Sequence, residues 1–296
     1  MLDKNQRVVI ALGYFDCVHK GHRKVIGGAF ALAEKLNAKP VVFTFDGNLK
    51  GAIKGETERN VYTTSERMII LNEMGVKDVY CAPIDKEFLL LGAKEFLEKL
   101  NSELNIVGYV TGDDYRFGHK GKGDVEFLKQ YANENSQQVV VTTTQTADGL
   151  RISTSLIKEL LTKGDVKRVN YLLDRNYSIT GEVVKDRRVG TSMGFPTINI
   201  NVENQKHLIK NGVYYGNVIV DGKKYKSIIN YGNRPTFNLD EKVLEAHLID
   251  FDGDLYGKTL TISFEGYLRD IVAFKDGNSL KAQLEKDLLA VKNMGE

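Results

Sequence analysis

"RVVIALGYFDCVHKGHRKVIGGAFALAEK", residues 7–35, changes its period at its centre. After Arg7, residues 8–12 form an apolar run that ends at Gly13, the pattern of a strand buried on both faces. From His22 to Asn37 the apolar residues return at helical spacing, with alanine and leucine on one face. A strand entering a helix through a glycine turn opens a βαβ unit. Two of the chain's five histidines, His19 and His22, occupy that turn, with Gly21 between them.

The same alternation recurs through the first half. "KPVVFTF" (39–45), "DVYCAPI" (78–84), "IVGYVTG" (106–112) and "QQVVVTTT" (137–144) read as strands. Between them "SERMIILNEMG" (65–75), "AKEFLEKLNSEL" (93–104) and "GDVEFLKQYANEN" (123–135) read as helices. Such alternation predicts a parallel sheet covered by helices on both faces. Ligands of these sheets bind beyond the carboxyl ends of the strands, so residues 13–22 and "TGDDYRFG" (111–118) belong to one crevice.

Near residue 176 the texture changes. "STSLIKELLTKGDVKRVNYLL" (153–173) reads as a helical connector. After it come short β segments, with Asp221-Gly222 as a hairpin turn, and then a terminal helix, "SLKAQLEKDLLAVKNM" (279–294). The expected architecture is an α/β domain over 1–175 and a small antiparallel β-barrel with a terminal helix over 176–296.

Composition narrows the function classes. The chain has 296 residues, of which 42% are hydrophobic and 27% charged, and carries a net charge of +2. That balance gives no bulk attraction to nucleic acid or anionic membrane. There is no long apolar span and no leader pattern, and the two cysteines, Cys17 and Cys81, make no disulfide framework. The expectation is a cytoplasmic protein acting on small molecules, with no nucleic-acid or membrane partner and no indication of oligomeric state.

The histidines admit several readings. Zinc needs a third protein ligand, and His-x-x-His in a loop lacks the i, i+4 spacing of the common helical metal pair. A helix N-terminus after a glycine turn is instead an anion site, where two imidazoles can donate to phosphate oxygens. Two exposed turn histidines is the plainer alternative.

"GYFDCVHKGHR" (13–23) resembles the G-x-F-D-G-x-H-x-G-H signature of nucleotidyltransferases, in particular the bacterial bifunctional riboflavin kinase/FAD synthetases. The resemblance extends over nearly the whole chain. "TGDDYRFGHKGKGDVEFL" (111–128) and "RISTSLIKELL" (151–161) are similar to that family's second and third motifs. "GEVVKDRRVGTSMGFPTINI" (181–200), "NYGNRPTF" (230–237), "LEAHLIDFDGDLYGK" (244–258) and "LRDIVAF" (268–274) are similar to its kinase blocks, in order. The resemblance implies a Rossmann-like nucleotidyltransferase domain followed by a riboflavin kinase barrel. The barrel would phosphorylate riboflavin with MgATP to give FMN, and the first domain would adenylylate FMN to FAD with release of pyrophosphate.

It also implies roles for residues. Thr197 and Asn199 share one face of an extended segment and would hold Mg²⁺ with the ATP phosphates. Glu245 matches the general base that takes the ribityl hydroxyl proton. Arg269 is a flavin candidate, and Asn230, Arg234 and Thr236 either contribute to the site or build a turn. In the first domain His19 and His22 would handle the triphosphate, with Gly13, Asp16 and Gly21 shaping the turn. Asp113 and Asp114 stand where a flavin, ribose or Mg²⁺ contact, or a plain turn, is possible. Ser153, Thr154 and Ser155 open a helix that would bind phosphate, and Lys158 follows them. His119, Lys120 and Lys122 read as a solvated basic loop.

Departures from the pattern concentrate in the first domain. Cys17 replaces a glycine and is expected to crowd a φ-sensitive turn. Gly47, Asn48 and Leu49 stand where T-F-x-P-H-P is usual, and Lys158 replaces an arginine, giving up planar bidentate recognition. In the barrel, Asp186 and Thr191 stand where glycine and a basic residue are common. Two rivals therefore accompany the bifunctional reading: a kinase whose first domain has lost turnover, and a flavin- or nucleotide-sensing protein with neither activity.

Overall fold

Strand β1 (Arg7–Leu12) is the centre of a parallel sheet, and Val8 to Leu12 are at most 1% exposed. β2 (Lys39–Phe45) and β3 (Asp78–Ala82) lie on one side of it; β4 (Asn105–Gly112) and β5 (Gln138–Thr142) lie on the other. The order is β3–β2–β1–β4–β5. After β5 a separate short pair follows, β6 (Thr146–Ala147) and β7 (Leu150–Arg151). The computed structural model describes residues 4–54, 58–147, 149–185, 194–202, 206–233 and 242–294. By contacts the chain divides into two compact units, Met1–Thr154 and Ser155–Glu296.

The periodic helices form as their spacing predicts: α1 (Lys20–Lys35), α3 (Thr64–Glu73), α5 (Ala93–Glu103) and α6 (Val125–Glu134), with two short ones, α2 (Leu49–Lys54) and α4 (Lys86–Leu90), between them. Val8, Ile10, Leu12 and Phe43 pack with Phe96, Leu97 and Leu100 of α5 and Leu128 of α6. The opposite face takes α1, where Leu32 presses so closely on β4 that a Cβ at Gly108 would meet it at 2.9 Å. Order reverses between β1 and β4, which makes their carboxyl ends the ligand crevice of such a sheet.

In the second unit the expected single connector is two helices, α7 (Thr154–Lys163) and α8 (Val166–Leu173). Gly164, at φ +78, ends the first, and Asp165 caps the second by accepting from Arg168 N at 3.2 Å. Asn170 of α8 accepts from Tyr177 N at 2.7 Å and donates to Phe264 O at 2.8 Å. Those strands belong to a closed antiparallel barrel of β8 (Tyr177–Val184), β9 (Ile198–Asn201), β10 (Gly212–Val220), β11 (Lys223–Asn233), β12 (Lys242–Leu248) and β13 (Thr259–Arg269), in the order β10–β11–β12–β9–β8–β13. Asp221 and Gly222, both at positive φ, turn β10 into β11 as the Asp-Gly pair predicts.

A terminal helix, Gly277–Asn293, lies on the barrel's outer face, where Val291 and Leu288 pack with Val213, Ile228 and Ile249. Asp287, 3% exposed, receives Arg269 Nε at 3.0 Å and Nη2 at 2.7 Å, with Gln283 Nε2 at 2.9 Å. Among the described residues no helix is long and apolar enough to cross a membrane. Removing one partner of a buried ion pair strands the other charge. Because the Arg269 side chain is 21% exposed, Asp287→Ala is expected to cost about 3 kcal/mol, the lower end for such pairs. Urea unfolding measures this, and a loss below about 0.5 kcal/mol, the scale of a surface change, would show that the pair does not anchor the helix.

Candidate functional site

The turn between β1 and α1 is strained and tightly held. Phe15 (φ +51) and Val18 (φ +46) both enter the left-handed region, which bulky and β-branched residues avoid, and both are buried. Three other segments fix the backbone there. Asp16, 1% exposed, accepts from Val61 N at 3.0 Å. Thr44 Oγ1 and Arg67 Nη1 donate to the Tyr14 carbonyl at 2.7 and 3.1 Å. Asp16 thus holds the turn through the 58–63 segment, and Gly13 lies against the Phe15 ring. The left-handed residues flank Cys17 on either side, so the positive φ of this turn falls on its neighbours and not on the cysteine itself. Cys17 is fully buried, with Sγ 3.4 Å from Thr154 Oγ1.

His19 is the N-cap of α1: its Nδ1 accepts from His22 N at 3.1 Å. A nitrogen accepting from a backbone amide carries no proton, so His19 is neutral with its proton on Nε2. The His22 ring stacks on it with centroids 3.7 Å apart and 19° between planes, and the Phe15 ring meets His22 edge-on at 5.3 Å. Gly21 suits this packing, since a Cβ there would stand 3.0 Å from His19 Cε1, tighter than ordinary contact. The first turn of α1 holds no acidic residue, so no carboxylate there competes with an anion for the positive end of the helix. Chemically, the turn offers imidazole N–H and helix N-terminal donors to a phosphate chain. It also places ligand atoms of Cys17, His19 and His22 within 4.8 Å of one another.

A residue the motif analysis missed frames this crevice. Arg67, fully buried, donates to the Tyr14 carbonyl, to Thr44 Oγ1 at 2.8 Å, to the Phe45 carbonyl at 2.8 Å and to Thr64 Oγ1 at 3.1 Å. It also lies 5.2 Å from the Tyr14 ring centroid. The Tyr14 hydroxyl lies 2.7 Å from Asn60 Oδ1 and 2.9 Å from the Gly47 carbonyl, and accepts from Leu49 N at 3.2 Å. Burial, with the nearby Asp16 carboxylate, pushes that phenol up to about 12, so it stays protonated. The divergent Gly47-Asn48-Leu49 turn is thereby ordered: Asn48 Oδ1 accepts from Gly51 N at 2.9 Å at the start of α2.

Other sequence candidates have other partners. Asp113 accepts from the Thr144 hydroxyl and, at 2.9 Å, from Thr144 N; these bonds hold its carboxyl below the usual carboxylate range. Asp114 pairs with Arg151. Both acids thus tie the β4 loop to Thr144 and Arg151. His119 is half-buried and its Nδ1 donates to the Leu89 carbonyl at 3.1 Å, so it is not a solvated residue like Lys120 and Lys122. Ser153 and Thr154 stand at the start of α7. Ser155 and Lys158 belong to the second unit, where the Lys158 carbonyl accepts from His207 Nε2 at 3.0 Å.

The barrel has its own polar row. Asn199 of β9 pairs in register with Glu245 of β12, and Glu245 with Asn230 of β11. Paired residues share a face, with Cα atoms about 4.5–5.5 Å apart. Their strand neighbours Ile200, Leu244, Ala246, Ile229 and Tyr231 are fully buried, which leaves the polar row on the outer face. Asn199 is only 7% exposed, yet its Oδ1 has no hydrogen-bond partner among the described residues. Thr197, half-buried, precedes it by two positions. The segment before Thr197 is fastened to β12, because His247 Nδ1 donates to the Pro196 carbonyl at 2.8 Å and the Phe195 and His247 rings meet at 5.4 Å. Arg269 faces the terminal helix: its guanidinium is engaged by Asp287 and by the Asp270 carbonyl at 3.0 Å. Asp186, Thr191, Arg234 and Thr236 lie outside the described residues.

Comparison with known proteins accounts for both units. A family described as FAD synthetase matches residues 2–156, and one described as riboflavin kinase matches residues 173–294. The bifunctional riboflavin kinase/FMN adenylyltransferase of Bacillus subtilis is 31% identical over 290 residues, covering 96% of this chain and 92% of that protein. Its Escherichia coli counterpart is 31% identical over 287 residues, covering 96% and 91%. A crystal structure titled as a macrolide-efflux protein from Streptococcus pneumoniae superposes with a TM-score of 0.88 at 29% identity, covering 98% of this chain and 95% of that one. With both family matches in order and relatives aligned nearly end to end, the chain belongs to the bifunctional riboflavin kinase/FMN adenylyltransferase family.

Proposed function

We propose that this chain, acting in the cytoplasm, converts riboflavin to FMN in its barrel unit and FMN to FAD in its sheet unit, using ATP in both steps. The observation that carries the reading is the Asn199–Glu245 row. A buried amide oxygen without a partner is costly unless a ligand satisfies it, and a carboxylate stands beside it in register. Oxygen donors at Thr197 and Asn199 suit Mg²⁺ held together with ATP phosphates. Bound there, the ion neutralises charge on the phosphoryl group in transfer. Glu245 accepts the proton of the ribityl hydroxyl as its oxygen attacks the γ-phosphorus and ADP leaves.

In the sheet unit the FMN phosphate attacks the α-phosphorus of ATP and pyrophosphate leaves. His19 Nε2–H, His22 and the amides of the first turn of α1 donate to the phosphate oxygens where negative charge gathers. Arg67 and Tyr14 position that turn. The departures at Cys17, Gly47–Leu49 and Lys158 favour a second reading, a kinase whose sheet unit does not turn over. It differs in one outcome, FMN accumulating without FAD.

Glu245→Gln keeps the shape of the row and removes the base. FMN formation should fall about 10²–10⁴-fold, while FAD formation from supplied FMN keeps its rate. Chromatographic resolution of the flavins reads both, and equal loss of the two steps would contradict separate sites. His22→Ala should do the reverse, lowering FAD formation from FMN about 10²-fold with FMN formation intact. An unchanged FAD rate would make the histidine a packing residue only.

A further inference from the structure

The argument against a metal at His19 and His22 is that their spacing supplies no third ligand. The fold supplies one. Cys17 lies beside the pair, and one ligand atom from each of the three residues falls within 4.8 Å of the others. We infer that Cys17, His19 and His22 form a binding site for a thiophilic divalent cation of the zinc class, and that its occupation shuts off FAD synthesis while leaving the kinase running.

A thiolate with two imidazoles is a donor set for Zn²⁺, Co²⁺ or Cd²⁺ and a poor one for Mg²⁺, which takes oxygen. Tetrahedral Zn²⁺, with bonds of about 2.0–2.3 Å, would hold these atoms about 3.3–3.6 Å apart; side-chain rotation covers that contraction, and it tilts the stacked imidazoles apart. Cys17 is fully buried and held close to Thr154, whose hydroxyl can donate to the thiolate, so the sulfur is fixed where a flexible surface cysteine would not be. Binding forms one metal–sulfur and two metal–nitrogen bonds and releases the thiol proton; it also breaks the cap bond from His22 N, because the neutral His19 ring has a single lone pair, which must go to the metal from Nδ1 or, after the ring proton moves to Nδ1, from Nε2. Water or a phosphate oxygen is left to fill the fourth position.

The regulatory half of the inference rests on the proposed role of the histidines in triphosphate handling. A cation bonded to both imidazoles withdraws the groups that would donate to ATP, so the cation and the triphosphate compete. The sulfur comes from Cys17 alone, which makes the device a property of the cysteine and not of the two histidines.

The test uses the full chain with Co²⁺ alone as the first probe. A thiolate-to-cobalt charge-transfer band should appear, vanish in Cys17→Gly, persist in Cys81→Ser and be displaced by Zn²⁺. No band, or one that survives Cys17→Gly, overturns the site. In the second arm Zn²⁺ is added at fixed excess MgATP. Wild-type FAD formation from FMN should fall about tenfold once free zinc exceeds its apparent dissociation constant at that MgATP concentration by about that factor. FMN formation in the same protein should hold, and Cys17→Gly should lose the zinc response. A cobalt band without zinc inhibition overturns the switch, and the His22→Ala result judges the triphosphate reading separately.

Discussion

The sheet unit depends on a turn that would not hold its shape alone. Left-handed backbone at Phe15 and Val18 costs on the order of 1–3 kcal/mol at each residue. The compensation comes from outside the turn: Asp16 fixes it to Val61, and Thr44 and Arg67 fix the Tyr14 carbonyl. Hydrogen bonds to charged groups are worth about 1.5–3 kcal/mol each, so a few of them offset the strain. Arg67 is the centre of this arrangement because one guanidinium reaches the β1 turn, the end of β2 and the first residue of α3 at once. The geometry of His19 and His22 is inherited from that scaffold, since the turn sets where α1 begins.

The barrel places its chemistry by a different constraint, register. Once β9, β12 and β11 pair, Asn199, Glu245 and Asn230 must fall in one row on one face. A one-residue slip would turn Glu245 into the apolar interior and Leu244 out of it, at the cost of a fully buried leucine and a buried carboxylate. Core packing therefore enforces the polar alignment. The terminal helix closes another part of the same outer face, and the Arg269–Asp287 pair seats it there.

Much of this was legible in the amino-acid order, for physical reasons. Parallel strands buried on both faces read as unbroken apolar runs, and the amphipathic helices between them read by their period. The Asp221-Gly222 turn announces itself because both positions need positive φ. Short helices such as α2 and α4 carry too few turns to show a period. Gly164 marks the break in the connector, but a lone glycine inside a helical period does not by itself separate two helices. At the site, the histidine motif was readable and its scaffold was not. Arg67 looks like a charge on an exposed helix face until β2 and the β1 turn fold around it. Phe15 and Val18 give no sign of left-handed backbone, because that conformation is imposed by distant partners. The nearness of Cys17 to both imidazoles follows from the turn's path, which spacing along the chain does not encode. The partner-rich settings of Asp113, Asp114 and Arg269 likewise depend on Thr144, Arg151 and Asp287, all supplied by the fold.

The most direct measurement follows the flavins made by the wild-type chain from riboflavin, ATP and Mg²⁺, and in parallel from FMN, ATP and Mg²⁺. The account predicts FMN and then FAD in the first reaction, and FAD with pyrophosphate in the second. Absence of FMN from the first reaction would contradict the assignment of Asn199 and Glu245, and FMN without FAD in both would contradict the assignment of His19 and His22.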